Sequence, residues 1–396
     1  MHRSFALTRK ACYVGYVTQA VAINFAPLLF LTFEQTFGVS LSQIGLLIGL
    51  NFAVQLSVDA FSARFLGRVG LRRAVLFAHL SVCAGLCGFA VLPYLFYTPY
   101  AGLLLATLFC GLGGGLTEVL VNPIMEACPQ KSGGALSFLH SFYCWGLAGV
   151  ILFSVLFFAL FGAARWRLLS CLLALIPLTG ALLFAGAPLC ALPGESGFFH
   201  LRGLFHNRVF LLLFAMLAAA GASEMVMAQW VSHFAAAGLG VGRTMGDLLG
   251  PCLFALMMGA ARLLHALFAH RLPLFSVITG SSVLCVAAYL LAALSPHALP
   301  ALLGCGLCGF AVGVLWPGVY AAAAEHIPDG GLAMFSLLAL AGDVGCLTGP
   351  SLAGRVADLT GGDLRLPFLL TAAAPALLLL CTATLSCTVK KKNVPR

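Results

Sequence analysis

Apolar residues run nearly unbroken through this chain in stretches of about twenty, the length a helix needs to cross a bilayer. The runs are continuous rather than alternating, which selects helices over a membrane barrel. Twelve spans are expected, first at residues 11–34, 41–65, 74–93, 100–125, 135–161 and 167–188. The second set falls at 208–234, 245–267, 272–294, 299–323, 332–355 and 366–388. Loops between them are short. The longest, about 189–207, contains Pro193, Gly194, His200, Arg202 and His206 and lies near the midpoint. The pattern predicts an all-α membrane protein with 12 transmembrane helices in two pseudo-symmetric six-helix bundles. The bundles are residues 1–190 and 208–396, joined by a cytoplasmic linker over 191–207.

A shift of 199 residues aligns Arg72 with Arg271, Gly114 with Gly313 and Pro129 with Pro328. It also aligns Ser137 with Ser336, Leu139 with Leu338 and Gly146 with Gly345. Parallel halves of this kind are the design of one large class of transporters.

Composition narrows the class. The chain is 61% hydrophobic and 8% charged, against about a quarter charged in a soluble domain, so no sizeable water-facing domain fits. A net charge of +9 raises the question of a nucleic-acid partner. Placement of the charges answers it. With both termini cytoplasmic, Arg165, Arg167, Arg243, Arg355 and Arg365 fall outside, and the other 16 of 21 lysines and arginines (21 − 5), Arg262 among them, fall inside. That positive-inside pattern sets the orientation and accounts for the basic charge without nucleic acid. The Lys390–Lys392 run reads as a solvated tail beside anionic headgroups. Fifteen cysteines are scattered through apolar runs. Even the Cys305/Cys308 pair lies in a glycine-rich apolar segment and reads as small packing residues, since a metal centre needs further ligands. The first apolar run exceeds a signal h-region and is expected to be retained as a helix.

An ionisable side chain at the middle of a span costs at least roughly 2.5–3.5 kcal/mol, so it faces a cavity or partner and marks a route for substrate or protons. Glu118 falls mid-span in Thr-Glu-Val-Leu-Val-Asn-Pro, with Asn122 on the same face one turn later. Pro123 frees a carbonyl in the preceding turn that a neighbour must satisfy. A carboxyl that water reaches in only part of a cycle can hold a proton and release it when water or a partner arrives. The plain alternative is a glutamic acid that merely bonds another helix.

Glu224 in span seven is followed by Gln229 and Trp230. An acid, an amide and an indole facing one cavity suit a sugar or polyol, the ring taking the C–H face and the polar groups the hydroxyls. A helix–helix contact is the alternative. Asp343, flanked by small residues, reads equally as a structural hydrogen bond or a substrate contact. Asn24, with Gln19 nearer the cytoplasm, lies on span one, and Asn51 and Gln55 sit four apart on span two. His140, Tyr143 and Trp145 occupy span five and Trp316 span ten. His140 is a possible proton partner for Glu118. Asp59 lies nearer the inner end of span two. The Gly111–Gly115 run lies within a span, so it is a packing surface and no phosphate loop.

Twelve spans, a cytoplasmic mid-chain loop and a basic turn after span two resemble the major facilitator superfamily along the whole chain. Glu118-Val-Leu-Val-Asn122-Pro123, followed on span five by Ser-Phe-Leu-His-Ser-Phe-Tyr-Cys-Trp-Gly, resembles its fucose permease branch of proton-coupled sugar symporters. The branch carries a Glu-x-x-x-Asn-Pro signature in span four and a polar residue, often glutamine, where His140 stands. The superfamily's turn reads Gly-x-x-x-Asp-Arg-x-Gly-Arg-Arg. Arg68, Gly70 and Arg72 fit it, while Gly67 replaces the aspartate and Leu71 one basic residue. The resemblance gives Asp59, Arg64, Arg68 and Arg72 a gating role, although Asp59 is two turns too early to stand in for the missing aspartate. The branch also uses an aspartate in span one for proton coupling. Here only Asn24 and Gln19 are available, leaving coupling to Glu118, to Glu224 or to neither.

The leading expectation is a secondary transporter for a small, sugar-like polar solute, working by alternating access. It needs no cofactor beyond the proton gradient and acts as a monomer in an inner membrane. Efflux of amphipathic compounds, suited by 31 phenylalanines, and a non-transporting receptor are the alternatives. No nucleophile–base pair, metal constellation or nucleotide loop points to an enzyme.

Overall fold

The computed structural model describes residues 5–39, 41–129, 134–191, 201–235, 248–361 and 363–392, and among them there is no strand. Spanning helices in chain order are α1 (Ala6–Leu28), α2 (Leu41–Val69), α3 (Leu71–Leu95), α4 (Pro99–Glu126), α5 (Ala135–Phe161) and α6 (Ala163–Gly186). They continue with α7 (Arg208–His233), α8 (Gly250–Phe268), α9 (Leu274–Leu294), α10 (Ala298–His326), α11 (Gly331–Leu359) and α12 (Arg365–Ser386). All except α1 and α2 meet the length and hydropathy of a membrane span outright.

One boundary differs from expectation, and a proline accounts for it. The first span was expected over 11–34, but α1 starts at Ala6 and ends at Leu28, and a separate short helix, Phe30–Phe37, follows. Pro27 lacks an N–H for the carbonyl one turn back, which weakens the helix where it breaks. The eighth span was expected from 245. Residues 236–247, with Arg243 and Asp247, lie outside the described residues, and the chain enters α8 through a wide turn, Leu248–Cys252, that contains Pro251. In the expected linker, Leu201–His206 is a short helix and residues 192–200 lie outside the described set.

The chain groups into two compact units. The first is Met1–Lys131, Phe142–Gly197 and Gly331–Ser336, and the second is Ser132–Ser141, Phe198–Gly330 and Leu337–Arg396.

In the first unit α4 lies against both α2 and α3, and glycines permit it. A Cβ at Gly113 would collide with the Ala78 carbonyl of α3, and one at Gly111 or Gly115 would press on Asn51 or Gln55 of α2. The second unit repeats the plan. Gly304 meets Ala288 and Ala292 of α9, while Gly309 and Gly313 meet Phe254 and Met258 of α8. The matching positions are thus Gly111 with Gly309 and Gly115 with Gly313, so packing pairs Gly115 rather than Gly114 with Gly313. Gly146 of α5 rests on Val17 and Ala20 of α1, and Gly345 of α11 on Ala218 and Ala222 of α7. The duplication is therefore carried by glycine contacts. Gly70, in the turn between α2 and α3, has φ +84°, a conformation that favours glycine.

Candidate functional site

In the first unit, α1 and α4 bring four polar side chains together. Gln19 Nε2 donates to Glu118 Oε2 at 2.5 Å, and Tyr16 Oη donates to Asn122 Oδ1 at 2.8 Å. Spacing explains the match: residues three apart on α1 and four apart on α4 each share a helix face, so two facing pairs meet. Asn122 Nδ2 also donates to the Glu118 carbonyl at 3.1 Å, one residue before the Val119 carbonyl that Pro123 cannot serve. Glu118 is 8% exposed, and Asn122 and Gln19 are buried. Nearby, Asn24 Nδ2 donates to the Ala20 carbonyl at 2.9 Å and to Tyr143 Oη at 3.2 Å, joining α1 to α5. On α2, Gln55 is buried and Nε2 reaches Asn51 Oδ1 at 3.4 Å. Asp59 is buried on the same helix.

The second unit houses its acid differently. Glu224 Oε2 of α7 lies 3.6 Å from Arg262 Nη2 of α8, close enough for an ion pair but beyond a hydrogen bond. Arg262 is 3% exposed. Its Nε donates to the Gly313 carbonyl at 2.9 Å and its Nη1 to the His140 carbonyl at 3.1 Å. Arg262, counted among the flanking basic residues, is thus enclosed by two carbonyls and a carboxylate. His140, buried in this unit, has its ring 5.9 Å from that of Tyr320, which lies 6.3 Å from Trp316. Trp316 is buried against Gly342, and its Nε1 has no hydrogen-bond partner among the described residues. Since Gly115 matches Gly313, the same offset sets Trp316 and Tyr320 where α4 has Glu118 and Asn122. Asp343 is buried on α11 between Gly342 and Gly345, the glycines that admit Trp316 and α7.

Glu224, Gln229 and Trp230 do not form one surface. Residues five and six positions along a helix are turned about 140° and 240° from the first. Accordingly Gln229 is exposed, and the Trp230 indole donates to the Pro350 carbonyl of α11 at 3.2 Å beside Gly354.

Arg72, expected at a gate, holds the end of α6. Its Nη1 donates to the Phe184 and Ala185 carbonyls, each at 2.6 Å, and its Nη2 to the Ala187 carbonyl at 2.8 Å. These are terminal carbonyls with no partner further along the helix. The side chains of Arg64 and Arg68 lie outside the described residues.

Tyr16 and Arg262 were the residues missed, and Gln19 was noted on span one without its pairing to Glu118. Tyr16 and Gln19 leave a faint trace, a polar pair three apart inside an apolar run. Arg262 leaves another, a lone arginine in Gly-Ala-Ala-Arg-Leu-Leu that no neighbouring acid answers.

The Major Facilitator Superfamily family model matches residues 12–350. No curated protein matches the sequence. Among solved structures, the Escherichia coli fucose:proton symporter FucP superposes with TM-score 0.82 at 14% identity, over 97% of this chain and 99% of that one. The proton:xylose symporter XylE, bound to 6-bromo-6-deoxy-D-glucose, gives 0.79 at 13% identity over 95% and 94%. The human organic anion transporter MFSD10 gives 0.73 at 16% identity over 96% and 100%. At these identities the likeness is one of fold, and it extends to proteins with different cargo. The match over residues 12–350 covers most of the chain, and on that ground the chain belongs to the Major Facilitator Superfamily, an integral membrane protein of the transporter kind rather than an enzyme.

Proposed function

We propose that the chain is a secondary active transporter that moves a small polar solute of the sugar or polyol class by alternating access, driven by protons. It works as a monomer in a cell membrane of the bacterial inner-membrane type, with both termini cytoplasmic. The polar layer on α1 and α4 supports this most directly. There a carboxyl is bonded by the Gln19 amide, which carries no charge, so a proton can join or leave Glu118 without stranding that partner as a buried ion. Tyr16, Asn122, Asn24 and Tyr143 offer hydroxyl and amide groups to a substrate rich in hydroxyls. In the second unit the Trp316 indole supplies a donor and an aromatic face.

Glu224 is assigned a different task. Protonating it would remove the carboxylate charge from beside the buried Arg262 guanidinium, so it serves as a charge partner while proton exchange falls to Glu118.

Proteoliposomes holding the full chain test this. Under an acid-outside gradient, a sugar panel should yield at least one solute that accumulates and leaks back when a protonophore is added. Glu118→Gln should abolish gradient-driven accumulation yet keep exchange of labelled for unlabelled solute. If no sugar or polyol accumulates, or Glu118→Gln accumulates like the parent, the proposal is wrong. Amphipathic anions in the same panel test the efflux alternative.

A further inference from the structure

An open cavity of about 690 Å³ lies at one end of the first unit, lined by Leu7 and Lys10 of α1, Arg72 of α3 and Ala187 and Pro188 after α6. Among the described residues it is lined by two cations and no carboxylate. Its walls are fixed: Thr8 Oγ1 donates to the Pro188 carbonyl at 2.6 Å, tying the start of α1 to the segment after α6. Arg72 is fixed as well, because three of its five N–H groups are engaged by the carbonyls of Phe184, Ala185 and Ala187. Among the described residues, the Nε–H and one Nη2–H remain for another acceptor. Lys10 adds an exposed ammonium on the same cavity.

A guanidinium already oriented, with two donors left and an ammonium beside it, matches the paired oxygens of a phosphate. The cavity lies where α1 begins, where α3 begins and after α6 ends, so it opens at one membrane face. The basic count makes that face cytoplasmic, where anionic lipids attract juxtamembrane lysine and arginine at about 1 kcal/mol each. We propose that this cavity binds a phosphate group, from an anionic phospholipid headgroup or from free phosphate, through Arg72 and Lys10. The role is separate from the solute route and does not depend on it.

The test uses full-length protein in neutral detergent, titrated with phosphatidylglycerol, phosphatidylcholine or sodium phosphate, with bound species counted by native mass spectrometry. A lipid site predicts that phosphatidylglycerol binds more tightly than phosphatidylcholine. Lys10→Ala should weaken it about fivefold, the equivalent of about 1 kcal/mol. Arg72→Lys keeps the charge but loses the fork and should weaken it similarly. If sodium phosphate displaces the lipid and its own binding falls in Lys10→Ala, free phosphate is the source. Should Arg72→Lys fail to fold, Lys10→Ala decides, because Lys10 is exposed. Phosphatidylglycerol and phosphate binding both unaffected by Lys10→Ala would overturn the proposal.

Discussion

Glu118 in the first unit and Glu224 in the second are both acids enclosed on spanning helices, yet the groups that face them differ in charge. Glu118 is bonded by the Gln19 amide, and Glu224 lies 3.6 Å from the Arg262 guanidinium. The helices around them pack alike, through Gly111 and Gly115 of α4 against α2 in one unit and Gly309 and Gly313 of α10 against α8 in the other. One scaffold therefore supports two electrostatic solutions. An amide partner lets a carboxyl change its protonation state freely. An ion pair resists that change, because each charge justifies the burial of the other.

Removing one charge from the pair is the severest way to break this contrast. Arg262→Met leaves Glu224 enclosed without its counter-ion, at a cost of about 3–5 kcal/mol. Thermal unfolding in detergent should show a large loss. The double variant Glu224→Gln/Arg262→Met should recover much of it, since no charge remains to be stranded. A double variant as unstable as the single would mean that Arg262 works through its bonds to Gly313 and His140 instead. Glu118→Gln, by contrast, should scarcely alter unfolding.

Glycine packing sharpens the comparison at an intermediate magnitude. At Gly345 an added methyl meets backbone of α7, with the Ala218 carbonyl carbon and Ala222 nitrogen each at 2.9 Å. At the matching Gly146 it meets the Ala20 Cβ at 3.0 Å and the Val17 Cα at 3.1 Å, and at Gly149 nothing within 4 Å. Backbone yields less readily than a side chain. Gly345→Ala should cost about 1–3 kcal/mol, Gly146→Ala less, and Gly149→Ala nothing. Equal costs at Gly345 and Gly149, read from melting temperatures, would show that this crossing is not tight.

The helices were legible because hydrophobic runs of span length have few other readings. The end of α1 was not, since the run continues past the break that follows Pro27. Glu118 and Asn122 stood out by position alone, an acid and an amide one turn apart in apolar surroundings. Their partners did not: Gln19 and Glu118 are 99 residues apart, and pairing at that distance leaves no local pattern. The partners of Arg262 were not legible, because a count of basic residues by helix end records position along the chain and not contact. The expected trio on α7 failed on angle, with nearness in sequence taken for a shared face.

The smallest predicted effects concern two buried tyrosines, one in each unit. Tyr16 donates to the Asn122 side chain at 2.8 Å, and Tyr289 to the Ser223 backbone carbonyl at 2.7 Å. A typical hydrogen bond contributes about 0.5–1.5 kcal/mol net, and more when its loss strands a buried partner. Ser223 lies inside α7, where its carbonyl keeps a helical partner one turn on, so Tyr289→Phe strands nothing. The Asn122 side chain is buried, so Tyr16→Phe should cost about 1 kcal/mol and Tyr289→Phe a few tenths. If Asn122 also receives the solute, Tyr16→Phe should change half-saturating solute concentration while Tyr289→Phe leaves it alone. A solute affinity that moves equally in both variants would detach the α1–α4 layer from binding, and the asymmetry between the units would be one of stability only.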